Sequence, residues 1–183
     1  MGSRFKIGVM GSSEDLTPPQ IDLARAVGGR IAFHGCILMS GACPGLTHEA
    51  AQAADERGGI CIGFSPAMNL QEHVGKYNFP SQPYILVFTG MGGKGRNLIG
   101  VRSCDAVVFI KGRMGTLNEF TIAYDEAHEG KVIAVLEGSG GLSDKLLPLA
   151  TEIGKRSKAT IIAGRDPVEL IDRVVKALAN SLA

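Results

Sequence analysis

Phe5-Lys6-Ile7-Gly8-Val9-Met10-Gly11-Ser12-Ser13 is an apolar run that breaks into small residues, and the residues that follow it set the fold class. Thr17-Pro18-Pro19 supplies a cap residue and prolines suited to a first helical turn. Ile21, Ala24, Val27 and Ile31 then recur at helical spacing until His34-Gly35 stops the pattern. A second apolar run, Cys36 to Met39, ends in another small-residue loop, Ser40-Gly41-Ala42-Cys43-Pro44-Gly45. An Ala-rich helix from Leu46 to Arg57, closed by Gly58-Gly59, leads to a third run, Ile60 to Phe64. Near-continuous apolar strands alternating with helices predict a parallel sheet covered on both faces.

The rhythm continues outward from this start. Tyr84 to Phe88, Asp105 to Ile110 and Lys131 to Leu136 read as strands, with Ala159 to Ile162 as an edge strand. Arg96 to Ser103, Thr116 to His128 and Leu142 to Ile153 read as helices. Asp166-Pro167 opens a last helix with apolar positions at Val168, Ile171, Val174, Val175 and Leu178. Ser65 to Pro83 carries no clean period and is long for a structureless connection, so it is expected to be a lid or binding loop. The expectation is one doubly wound, mainly parallel α/β domain over residues 1–183. Its ligand crevice should lie beyond the carboxyl ends of the strands.

Composition narrows the partners. A chain of 183 residues with 45% hydrophobic and 20% charged residues has material for a buried core, which excludes extended disorder. A formal net charge of +1 argues against a protein that neutralises many phosphates of a nucleic acid, though a single phosphorylated small molecule needs only a few donors. No apolar run approaches the ~20 residues of a membrane-spanning helix. The start Met1-Gly2-Ser3-Arg4 lacks the apolar stretch of a secretory signal, so no membrane association and a cytoplasmic location are expected. The four cysteines are irregularly spaced and read as reduced, with Cys36, Cys61 and Cys104 among apolar residues and Cys43 in a loop where it is free to approach a ligand. His48, His73 and His128 show no ligand spacing and read as surface or loop residues, so no metal site is expected.

Two glycine-rich segments bear on chemistry. Gly90-Met91-Gly92-Gly93-Lys94-Gly95 fits G-x-G-x-x-G literally, but it follows the fourth strand, and no acid ends the next one, as a dinucleotide site would want. It is not a P-loop either, because Lys94 is followed by glycine instead of the hydroxyl residue that holds magnesium. Gly112-Arg113-Met114-Gly115-Thr116-Leu117-Asn118-Glu119 leaves a strand and turns directly into a helix whose first N–H groups form an anion site. Thr116 and Glu119 also satisfy the spacing of a capping box, so Glu119 reads either as a cap partner or as a catalytic carboxylate. Arg96 either converges with Glu119 on the crevice or lies on the surface.

Taken together, Lys6 to Ser13, Ser40 to Leu46, Gly59 to Pro66, Arg96 ahead of Asp105-Ala106, and Gly112 to Glu119 resemble the LONELY GUY (LOG) family, also called "possible lysine decarboxylase", over roughly residues 5–136. The resemblance implies a Rossmann-like sheet that binds a nucleoside 5'-monophosphate. In enzymatic members it also implies hydrolysis of the N-glycosidic bond to free base and ribose 5-phosphate. It does not imply lysine decarboxylation, and no cofactor is expected. The family's catalytic Arg and Glu fall on Arg96 and Glu119, and its phosphate loop falls on Gly112, Gly115 and Thr116, with Arg113 and Met114 between them. Gly11, Ser12, Ser13, Gly41 and Gly45 are expected to line the rest of the crevice. The resemblance also implies a homo-oligomer, a homodimer or homotetramer.

The sequence departs from the family pattern in three places. The glycine triplet is Ser40-Gly41-Ala42, Thr47 stands where Met is usual, and Pro-Gly-Gly has become Lys111-Gly112-Arg113. Arg113 puts a side chain where backbone approaches phosphate, so either the loop takes another path or the guanidinium grips the anion. The Arg96-Asn97 pair is similar to the molybdenum-cofactor-carrier-like branch. The leading expectation is therefore a nucleoside-monophosphate phosphoribohydrolase, with a non-catalytic nucleotide or molybdopterin carrier as the alternative.

Overall fold

The structure is a computed structural model that describes residues 4–181, so the Met1-Gly2-Ser3 start lies outside the described residues. Seven strands form one sheet in the order β4-β3-β2-β1-β5-β6-β7, and all neighbours pair in parallel. The strands are β1 (Lys6–Gly11), β2 (Ile37–Ser40), β3 (Ile60–Ser65), β4 (Ile85–Phe88), β5 (Ala106–Ile110), β6 (Val132–Leu136) and β7 (Thr160–Gly164). The helices are α1 (Pro18–Phe33), α2 (Leu46–Asp55), α3 (Leu70–Gly75), α4 (Gly92–Arg102), α5 (Met114–Asp125), α6 (Ser143–Ile153) and α7 (Pro167–Asn180). None of them is long and apolar enough to cross a membrane.

Side-chain alternation along each strand divides the core into two layers. Ile7, Val9, Val108 and Ile110 pack against Val27 and Ile31 of α1, Leu46 and Ala50 of α2, and Leu170 and Val174 of α7. Met10, Val107, Phe109 and Ile133 face the other way, onto Val101 of α4, Phe120 of α5 and Leu146 of α6. Sequence position decides the layer because both faces are covered, which is why these strands carry no polar alternation.

Four readings of the sequence need correction. Ser65 to Pro83 is not structureless: Asn69 caps the short helix α3 by accepting from the Glu72 N–H at 2.9 Å. His73 is not a surface residue but fully buried inside that segment. α4 begins at Gly92, ahead of Arg96, so part of the glycine-rich run is helical. α5 begins at Met114 with Arg113 as its N-cap, which places Thr116 inside the first turn and leaves no Thr116–Glu119 capping box. Cys36, Cys61 and Cys104 are buried free thiols, as read from their apolar neighbours, and burial pushes Cys61 up to about 11 and Cys104 up to about 12.

Candidate functional site

The strand order reverses at β1, which has β2 on one side and β5 on the other. Chain crossovers leave this point in opposite directions, so the loops after β1 and β5 part and open a crevice at their carboxyl ends. The loop after β1 is pressed against the start of α2: the Leu46 N–H donates to Ser12 O at 3.0 Å. Gly45, with φ +92°, lies so close to Ser13 that a Cβ there would overlap the Ser13 backbone. On the other wall, Lys111 and Gly112 turn with positive φ, and their carbonyls accept from the N–H groups of Ser143 at 2.7 Å and Leu142 at 3.1 Å. With the loop carbonyls tied to α6, α5 starts at the crevice with no side-chain cap on its first N–H groups.

α4 brings the cationic wall. Arg96 donates from Nε to Asn97 Oδ1 at 2.8 Å and from Nη1 to Phe64 O at 3.1 Å and to Gly41 O. A Cβ on residue 41 would overlap that guanidinium, so the missing side chain of Gly41 is what admits Arg96. Asn97 is buried and donates in turn to Asn118 Oδ1 at 2.9 Å, which ties α4 to α5 beside the site.

Glu119, one turn and a half into α5, is 8% exposed. Among the described residues, no ion pair or hydrogen bond meets its carboxylate. Burial therefore dominates and lifts its carboxyl to about 7, against the opposing charges of Arg96 and Lys94. A carboxyl so placed keeps its proton to much higher pH than an ordinary carboxyl, so near neutrality it can donate as well as accept toward a ligand.

These groups surround one cleft of about 370 Å³. A family model described as the SLOG cluster4 family matches residues 4–171. The chain belongs to the SLOG cluster4 family. An Archaeoglobus fulgidus protein of uncharacterised function is 32% identical to this SLOG cluster4 chain over 133 residues, covering 73% of this chain and 80% of its own. The Moco carrier protein from Chlamydomonas reinhardtii is 27% identical with a TM-score of 0.78, covering 97% of this chain and 99% of its own. The molybdenum cofactor binding protein from Rippkaea orientalis is 28% identical with a TM-score of 0.74, at 97% and 98% coverage.

In this SLOG cluster4 chain the cleft gathers most of the residues singled out from the sequence. Gly11, Ser12, Ser13 and Gly41 line one wall, and Arg96, Arg113, Gly115, Thr116 and Glu119 line the others. Three do not line it. Gly45 and Gly112 shape the loops from below through their positive φ, and the Met114 side chain is 72% exposed outside the cleft. Cys43 borders the cleft, but its thiol faces Thr47 Oγ1 at 3.4 Å, with no base beside it to make a nucleophile. Sequence reasoning missed Thr47, Asn97, Gly93, Lys94 and Phe79 as lining residues. Gly93 and Lys94 had a signal, the glycine-rich run set aside as a poor nucleotide motif; for Phe79 the only signal was the expectation that Ser65 to Pro83 is a lid or binding loop. Among the described residues no cluster of three His, Cys, Asp or Glu side chains is placed to hold a metal.

Arg113 is engaged by acidic side chains of the β1 loop. Its guanidinium pairs with Glu14 at 2.6 Å and reaches Asp15 at 3.7 Å, spanning the mouth of the cleft from the β5 loop to the β1 loop. A phosphate that reached Arg113 would have to compete with Glu14 for it. Glu14→Gln is expected to tighten binding of ribose 5-phosphate about two- to fivefold, the worth of an exposed ion pair, as read by calorimetry at low salt. Unchanged or weaker binding would show that Arg113 does not meet the anion.

Proposed function

We propose that this protein reversibly binds a phosphorylated pterin of the molybdopterin class and acts as a carrier for it. The observation that carries the reading is the uncapped start of α5 at the β1/β5 crevice, flanked by Arg96, Lys94 and Arg113. That arrangement suits a phosphate end, and the rest of the cleft is sized for a small organic body. Arg96 is already held by two backbone carbonyls and Asn97, so it offers a fixed positive wall at little ordering cost. Glu119, near its midpoint at neutral pH, meets a ring donor or a ring acceptor equally well. The likeness to the two Moco-binding structures, each spanning nearly the whole chain, supports the pterin as cargo.

A second reading is the LOG-type phosphoribohydrolase, and the Glu119 carboxyl lifted to about 7 is the observation that favours it, since a general acid–base works best near the operating pH. Chromatography separates the two. Purine and pyrimidine 5'-monophosphates are incubated with the wild-type chain and with Glu119→Gln, while a phosphorylated pterin, neopterin monophosphate, is titrated by calorimetry. The carrier reading expects pterin binding and no released base. Base release that falls roughly 10²- to 10⁴-fold in the variant would replace it with the hydrolase.

A further inference from the structure

The phosphate end accounts for only part of the cleft. Phe79 is the one aromatic ring among the lining residues, although it belongs to the connection between α3 and β4 and not to a strand-end loop. It is half-buried, with its exposed part bordering the cleft.

A buried relay fixes it there. The Phe79 N–H donates to His73 O at 3.1 Å, and the His73 ring meets the Phe79 ring edge-on with centroids 5.6 Å apart. Nε2 of His73 lies 3.0 Å from Pro80 O, and Nδ1 lies 2.8 Å from Ser65 Oγ. A carbonyl only accepts, so Nε2 carries the proton and Nδ1 accepts from the Ser65 hydroxyl. Ser65 Oγ accepts in turn from the Ala67 N–H at 3.0 Å. Residues 79 and 80 are thus both held by the fully buried His73, residue 79 through the His73 main-chain carbonyl and an edge-on ring contact and residue 80 through Nε2, and the imidazole is anchored to the end of β3 by Ser65. Tyr77 adds a second ring at 5.7 Å. An exposed connection would leave a phenylalanine free to move, whereas this one is held by His73 and Tyr77.

We infer that Phe79, held in place by His73 and Ser65, is a binding residue of the cleft that selects a planar ligand body, giving an apolar aromatic contact to the fused bicyclic heterocycle of a phosphorylated ligand, purine or pterin. The inference rests on the anion-binding reading of the crevice. Aromatic contact with a flat heterocycle tolerates ring identity, because each such ring has a π-face, so this residue selects for a planar body and leaves the choice of base to polar groups.

Calorimetric titration of the full chain with GMP, neopterin monophosphate, ribose 5-phosphate and guanosine tests it. Phe79→Ala is expected to weaken GMP and neopterin monophosphate roughly 5- to 150-fold and to leave ribose 5-phosphate unchanged, while Phe79→Trp keeps the heterocycle affinity. Quenching of pterin fluorescence on binding should be lost in the alanine variant alone. Equal losses for ribose 5-phosphate and GMP, or no loss for either heterocycle, would overturn the role of Phe79. Guanosine binding as well as GMP would overturn the anion reading while leaving Phe79 in place, and absence of binding by the wild-type chain would overturn both.

Discussion

Glu119→Gln is expected to leave stability unchanged at pH 4 and to raise it by about 3 kcal/mol at pH 8. The folded chain holds the Glu119 carboxyl at about 7, above the ordinary 4.5, because its buried position disfavours the charged form more than Arg96 and Lys94 favour it. Between those two values the folded state binds more protons than the unfolded state, so stability falls as pH rises through this window and stays reduced above it. Below pH 4.5 both states are protonated and the variant has nothing to relieve. Glutamine keeps the shape and cannot ionise, so the difference between the two unfolding curves isolates this carboxyl from every other titrating group. Urea unfolding at a series of pH values reads it directly. A difference that stays flat from pH 4 to pH 8 would mean that the carboxylate is well solvated, and would remove the basis for Glu119 as a proton-holding group in either functional reading.

That stability penalty fits a binding role. A carboxyl of this kind lowers stability at neutral pH, and the capping role its spacing offered is not filled, because Arg113 and not Thr116 ends up as the N-cap of α5. The reason lies two residues upstream. Gly112 takes φ +88°, which turns the chain early and starts the helix at Met114. A local pattern of Thr and Glu three apart cannot report where the preceding turn closes, so the sequence left both readings of Glu119 open.

The sheet was far more legible than the cleft. Each strand is a short apolar run close to glycine or proline; the central strands are buried on both faces, which makes their runs stand out whatever their neighbours, while the edge strands β4 and β7 are largely exposed. Arg96 and Glu119 were legible together only through the order of several separated motifs, since the rest of α4 and the whole of β5 lie between Arg96 and the start of α5. The expectation of a lid or binding loop pointed to the segment Ser65 to Pro83, but Phe79 and His73 within it were not legible as individual residues. Their segment has no hydrophobic period, and His73 is buried by Ser65 and Pro80, partners seven and eight residues away that make a tertiary network and no local signature. The ion pair of Arg113 with Glu14 was hidden for a similar reason: the residues are 99 positions apart and meet only because β1 and β5 are neighbours.

Gly28→Ala is expected to cost about 3 kcal/mol, the upper end of overpacking penalties, and to weaken ligand binding although residue 28 lies outside the cleft. Alanine gains roughly 1 kcal/mol of helix propensity over glycine in the middle of α1. Against that gain, the new Cβ would overlap the carbonyl of Ala50 in α2. A backbone carbonyl inside a helix has no rotamer to escape into, so one helix must shift away from the other. α2 is the element that moves the site, because its first residue, Leu46, holds the β1 loop through Ser12 O, and Gly45 packs on Ser13. Gly29→Ala is the contrasting case: its Cβ would meet the Arg57 guanidinium at 2.8 Å, a mobile end that can swing aside, so its cost should stay below about 1 kcal/mol. Urea midpoints for the two variants, with ribose 5-phosphate titrations of each, check both the ranking and the link to binding. Equal stability of the two variants would show that α1 and α2 are not locked together at Gly28, and a destabilised Gly28→Ala chain with unchanged affinity would show that the cleft is insulated from that crossing.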